Sequence, residues 1–258
     1  MGLLSVGQPL TWPETKKVAD FIKQHGITQF LNIYNSVKNR VGDGLKWGDE
    51  VEYHLIEFDH KNKTAKLKLG CEELVEILSE PERQGLDVET LWRPEFASYQ
   101  SEATPGRPYG GLLAHFNLVE PNMKLRRKQM NELVEKKNLI ESNPDKEIRV
   151  MSITSFPRLG CRPGFTSPDL PVDLNLHKRN TFTESVFFPE GCINSHPRFK
   201  TLANNIRSRR GRKVEIQVPV FIDKNTPTNF PLHDNFINGT NNHDSIKNGQ
   251  KKNMIYMD

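Results

Sequence analysis

The chain has 258 residues, 35% of them hydrophobic and 26% charged, with a formal net charge of +4. That is enough chain for one large domain or two small ones with a real core, and the composition fits an ordinary soluble protein with some unpacked segments. No apolar run approaches the ~20 residues that span a bilayer. The start, Met1 to Val6, reads as neither a secretory signal nor a myristoylation site, so the expectation is a cytosolic protein with no membrane contact.

In chain order, Thr11-Trp12-Pro13-Glu14 has the form of a capping box opening a helix through Ile22, with Gly26 suited to stop it. Ile27, Phe30, Leu31, Tyr34 and Val37 then fall on one stripe of a second helix. Both read as scaffold. Glu50 to Phe58 and Thr64 to Leu69 alternate like strands, and the polar turn between them predicts an antiparallel hairpin. A short helix over Glu72 to Leu78, a loop over Pro81 to Asp87 and a strand near Glu95 to Ser101 follow.

The stretch Thr104 to Gly111 is too rich in Pro and Gly for regular structure. Pro121 suits the first turn of a helix whose apolar side is Met123, Met130, Leu133, Val134 and Ile140, with Arg126, Arg127 and Lys128 partly in solvent. Strands are predicted at Ile148 to Thr154 and Val214 to Ile222, flanking a polar, irregular Ser167 to Ser185. The Asn-rich stretch His233 to Asn253 has the composition of a disordered segment, and Met254 to Met257 could re-enter a sheet.

Chemistry concentrates in carboxylates. Glu50 and Glu52 are two apart on one strand, so they face the same way, about 6.5 to 7 Å apart. At that separation they repel by roughly 0.6 kcal/mol in water and roughly 2.4 kcal/mol at an effective dielectric of 20. If partly buried, the pair needs a proton or a hard divalent cation. On alternation alone it also fits the water-facing side of an amphipathic strand. The balance shifts with Glu95 and Glu102, two further carboxylates set among aromatic and small residues. Being seven apart, they would face opposite ways on one straight strand, so convergence calls for a bulge or bend.

Cys71, Cys161 and Cys192 are few, odd in number and widely spaced, which suggests free thiols rather than a disulfide framework or zinc site. The basic run Arg198 to Lys213 lacks interleaved stacking aromatics and reads more as a solvated face than as a nucleic-acid surface. No P-loop or dinucleotide fingerprint is present.

Several longer motifs carry a resemblance: the opening MGLLSVGQPLTWPET, then LKWGDEVEY, LWRPEF with its trailing glutamate, TPGRPYGG, SITSFPRLGC, and HPRF followed by NIRSRRG and KNTP. Together they resemble the N-terminal portion of the eukaryotic glutamate cysteine ligase family over essentially the whole chain. The resemblance implies an α+β fold, a glutamine-synthetase-like curved antiparallel sheet with flanking helices, incomplete at the C-terminus. Residues 1–229 would be the N-terminal part of the ligase domain, 230–253 a disordered segment and 254–258 the start of a truncated core strand.

It further implies ATP-dependent joining of the glutamate γ-carboxylate to cysteine through a γ-glutamyl phosphate, the first step of glutathione synthesis, in the cytoplasm. Mg2+ and ATP would be required, and a regulatory (modifier) subunit is an implied partner. Glu50, Glu52, Glu95 and Glu102 match the family's metal ligands, while the remaining ligands and a substrate-binding arginine would lie beyond Asp258. Two other readings stay open: a non-catalytic fragment that binds metal weakly or pairs with another chain, and a basic nucleic-acid-binding module on Arg198 to Lys213.

Overall fold

In the computed structural model, residues 7–141, 143–159, 164–170, 189–211, 216–219 and 254–257 are described. Their elements are α1 (Trp12–Val37), β1 (Lys46–Trp47), β2 (Val51–Asp59), β3 (Thr64–Lys68), α2 (Cys71–Arg83), β4 (Thr90–Pro94), β5 (Gln100–Pro105), β6 (Tyr109–Gly110), α3 (Phe116–Glu141), β7 (Lys146–Met151), β8 (Thr166–Ser167), α4 (Pro197–Arg210), β9 (Ile216–Pro219) and β10 (Met254–Met257). The fold is α+β. Six strands form a mixed sheet in the order β4-β5-β2-β3-β8, with β7 also paired to β2 and only β3–β8 parallel.

Strand β2 organises this sheet because its alternation gives it two buried faces. Tyr53 and Leu55 point to one side, where Trp92, Ala103, Ile148 and Val150 join residues of α2 and α3 in a core cluster. Ile56 points to the other, packing with Leu67, Ala97, Tyr99, Phe165 and Cys192. The predicted hairpin is present, and its turn is tied by Asp59, whose carboxylate accepts from the backbone and side-chain nitrogens of Asn62. Cys71 and Cys192 are buried free thiols; Cys161 lies outside the described residues.

Several expectations are corrected. The first two predicted helices are one, α1. Gly26 does not adopt the left-handed conformation that would end it. Its cost of about 1 kcal/mol relative to alanine is absorbed within a long helix, and local bonds span it: His25 meets the Phe21 carbonyl, and the Thr28 hydroxyl donates to the Gln24 carbonyl. No residue of α1 is buried, and Phe30, Ile33 and Tyr34 are each about half exposed or more, so this helix is not core scaffold within the described residues. Its N-terminus is as expected in kind: the Glu14 carboxylate accepts from the Thr11 backbone N–H at 2.8 Å and hydroxyl at 2.6 Å.

Helix α2 runs on through Pro81 to Arg83, so part of the predicted loop is helical. Helix α3 begins five residues before Pro121 rather than at it. Standing at the sixth position, Pro121 costs the helix one backbone bond, the one residue 121 would otherwise donate to the Asn117 carbonyl. The stretch from Thr104 to Gly111 contains regular pairing: it ends β5 and supplies β6, which pairs with β1 through Trp47↔Tyr109. Gly106 is needed there, since a Cβ would sit 1.9 Å from the Val88 carbonyl oxygen. β9 and β10 pair antiparallel as a separate two-stranded sheet. The segment 230–253, expected to be disordered, lies outside the described residues.

Candidate metal-binding carboxylate site

The carboxylates are positioned by the registers of three adjacent strands. Glu52 on β2 lies directly opposite Glu102 on β5, and Glu102 lies directly opposite Arg93 on β4. Directly opposed antiparallel residues share a face, so one row reads Arg93, Glu102, Glu52. The next row on that face pairs His54 with Gln100, whose side-chain nitrogens are 2.9 Å apart. Glu95 follows immediately after the last β4–β5 pair, Pro94↔Ser101.

This placement corrects the parity problem. The segment from Glu95 to Ser101 is not one strand but the reversal from β4 into β5. Two carboxylates seven apart in sequence can therefore meet across a hairpin without a bulge. They do meet: burial first, then a hydrogen bond with Glu102, pushes the Glu95 carboxyl up to about 7. The Phe96 N–H donates to Glu95 at 3.2 Å and partly offsets the rise. The reversal is pinned from below, as Ser98 donates to Glu72 and its backbone bonds Cys71 and Cys192.

Of the four predicted ligands, the structure joins Glu95 to Glu102 and sets Glu52 across from Glu102. Glu50 stands just before β2, exposed like Glu52. Among the described residues, no three His, Cys, Asp or Glu side chains are grouped closely enough to hold a metal ion. The donor chemistry nevertheless suits a hard divalent cation, because all four side chains are carboxyl groups, whose oxygens are the donors such ions prefer.

Sequence reasoning missed the groups that support this row. Arg126, expected partly in solvent, is completely buried. It donates to the Ala103 carbonyl at 2.7 Å and to the Asp49 carboxylate, which also accepts from the Tyr109 hydroxyl at 3.1 Å. The signal was available: Arg126, Met130 and Val134 recur every four residues, and the latter two are core. Arg93 is engaged bidentately by Glu82 at 2.5 and 2.7 Å. The basic run falls largely on α4, where Arg207 turns inward to pair with Glu190 at 3.1 Å.

A family model described as glutamate-cysteine ligase matches residues 1–258. The chain is 49% identical over 262 residues to the glutamate–cysteine ligase catalytic subunit of Homo sapiens, an alignment covering 100% of this chain and 38% of that protein. With the catalytic subunit of Rattus norvegicus it shares 50% identity over 235 residues, 89% of this chain and 34% of the relative. Against the glutamate–cysteine ligase of Candida albicans the identity is 38% over 268 residues, 100% of this chain and 36% of the relative. The chain thus spans little more than a third of the length of these curated relatives.

Proposed function

Since this chain belongs to the glutamate–cysteine ligase family, we propose that it carries part of the active site of an ATP-dependent ligase joining the γ-carboxylate of glutamate to the amine of cysteine. In this reading the sheet is the glutamine-synthetase-like cup of the family, and Glu50, Glu52, Glu95 and Glu102 hold Mg2+ on one face. The observation that carries it is the central place of Glu102, opposite Glu52 in register and hydrogen-bonded to Glu95.

Bound Mg2+ would neutralise charge on the β- and γ-phosphates as the γ-phosphoryl group moves to the glutamate side chain. The chain's own contribution is positional. Glu102 gives the row a fixed centre on a strand hydrogen-bonded on both sides. Glu95 holds its proton up to about pH 7 and gives it up to a cation more readily above that. Glutamate, cysteine and ATP are the partners this reading requires, with a modifier subunit and a cytoplasmic location following from the family.

The first test is calorimetric titration of the purified chain with Mg2+ and with Mn2+ at pH 8. Binding that is weakened at least tenfold in both Glu52→Gln and Glu102→Gln supports the reading; equal binding in the variants overturns the assignment. A second reading, a chain that binds a divalent ion weakly without turnover, is favoured by the absence of a three-ligand group among the described residues. Equimolar γ-glutamylcysteine and ADP, formed from glutamate, cysteine and ATP by this chain and lost in Glu52→Gln, would exclude it.

A further inference from the structure

We propose that Arg126, acting with Asp49 and Tyr109, is a positioning clamp that sets the spacing of the carboxylate row and thereby its metal affinity and selectivity. The proposal rests on the metal reading above and adds a role for three residues outside the ligand set. Its ground is connectivity. A single guanidinium donates through one nitrogen to the Ala103 carbonyl and through another to the Asp49 carboxylate. Ala103 immediately follows Glu102 and pairs with Val51; Asp49 immediately precedes Glu50. One rigid, planar group therefore ties β5 to the chain entering β2, each one residue from a carboxylate.

The energetics favour a role in geometry. A buried ion pair roughly breaks even against well-packed apolar residues of similar volume, because desolvation offsets the attraction. Stability alone therefore gives little reason for an arginine with no exposed surface at this place. What a guanidinium supplies that a hydrocarbon cannot is two donors at fixed separation and angle. The rest of the frame is equally braced: Tyr109 holds the second Asp49 oxygen, its ring packs on Trp47 at 4.8 Å, and Trp47 packs on Phe116 at 5.3 Å, at the start of the helix that carries Arg126. Helix α3 and the entry to β2 are thus joined at two points, on the face of the sheet opposite to the carboxylate row.

Groups that orient metal ligands from behind typically change affinity by about 10- to 100-fold when altered. Arg126→Lys keeps the charge but loses the fork, and Asp49→Asn keeps the shape but loses the charge. Both are expected to weaken Mn2+ binding to the purified chain by about tenfold, with Tyr109→Phe losing less. A looser row should penalise Mn2+ more than the larger, geometrically tolerant Ca2+, so the ratio of Mn2+ to Ca2+ affinity should fall. Glu57→Gln, which breaks a different buried ion-pair cluster on the same strand, is the control for destabilisation as such and should leave that ratio unchanged.

The measurement is titration with Mn2+ and Ca2+ well below each variant's melting temperature, with circular dichroism to confirm folding. Variants that melt lower yet keep the wild-type Mn2+ affinity and ratio overturn the clamp. If Arg126→Lys fails to fold, Asp49→Asn and Tyr109→Phe decide the question by the same readout. Failure of the metal reading has a different signature: a wild-type chain that takes up no Mn2+, or Glu52→Gln and Glu102→Gln variants that bind it normally, removes both proposals together.

Discussion

Glu57, toward the C-terminal end of β2, accepts from Lys68 at 3.1 Å, Lys146 at 2.8 Å and the Ser167 hydroxyl at 2.8 Å; Glu102, paired with the N-terminal end, shares a hydrogen bond with a second carboxyl. Both are almost fully buried. Burial is the largest influence on Glu57, but the bonds from Lys146, Ser167 and Lys68 together outweigh it and hold its carboxyl below the usual range. At the other end, burial and the shared hydrogen bond act together and raise Glu95 to about 7. One sheet thus carries a carboxylate held by two lysines and a serine hydroxyl, and a carboxyl pair beside Arg93 in which Glu95 is pushed toward its neutral form. The first pattern serves folding. The second is the pattern that the metal reading proposed above would use.

The largest effect is expected at Glu57. Glu57→Gln leaves two ammonium groups beside a neutral amide and should cost about 3 kcal/mol of stability in denaturant unfolding, without changing Mn2+ affinity; a matching loss of Mn2+ affinity would show that the two ends are not independent. At the other end Glu102→Gln should do the reverse. Its Mn2+ affinity should fall at least tenfold, equivalent to about 1.4 kcal/mol, while the metal-free chain melts no lower than wild type at pH 8.

The pH dependence should also separate the ends. Glu95 has its folded value raised, so the stability it contributes is full below its unfolded value near 4.5 and is lost as pH rises through about 7. Glu57 has its folded value lowered, so its contribution is present above the unfolded value and is lost as the solution is acidified through the folded one. Glu95→Gln should accordingly melt about 1 to 3 °C above wild type at pH 8 without metal, the gain shrinking toward pH 4.5; partial solvent contact keeps it small. Of similar size is Ser167→Ala, which removes one of the donors to Glu57 and should cost about 1 kcal/mol in the same unfolding assay, again with Mn2+ binding untouched.

Legibility followed the range of the interaction. Alternation in LKWGDEVEY and beyond revealed β2, and the Asp-His-Lys-Asn-Lys run revealed its hairpin, because side-chain direction and turn preference are properties of a few consecutive residues. The same local information suggested two helices where there is one, since a glycine is a stop only if the chain turns left-handed there, and at Gly26 it does not.

The motifs were long enough to indicate the family from sequence alone. The four glutamates could be named as candidates, but their grouping could not be read from spacing. Whether Glu95 meets Glu102 depends on a chain reversal between them, and the pairing of Glu102 with Glu52 depends on which strands become neighbours. Arg126 shows the same divide: its spacing with Met130 and Val134 is written in the sequence, but its partners, Asp49 and Ala103, lie 77 and 23 residues away. Periodicity specifies which way a side chain points. Only tertiary packing specifies what it finds there, and the charge of a buried group is set by that neighbour.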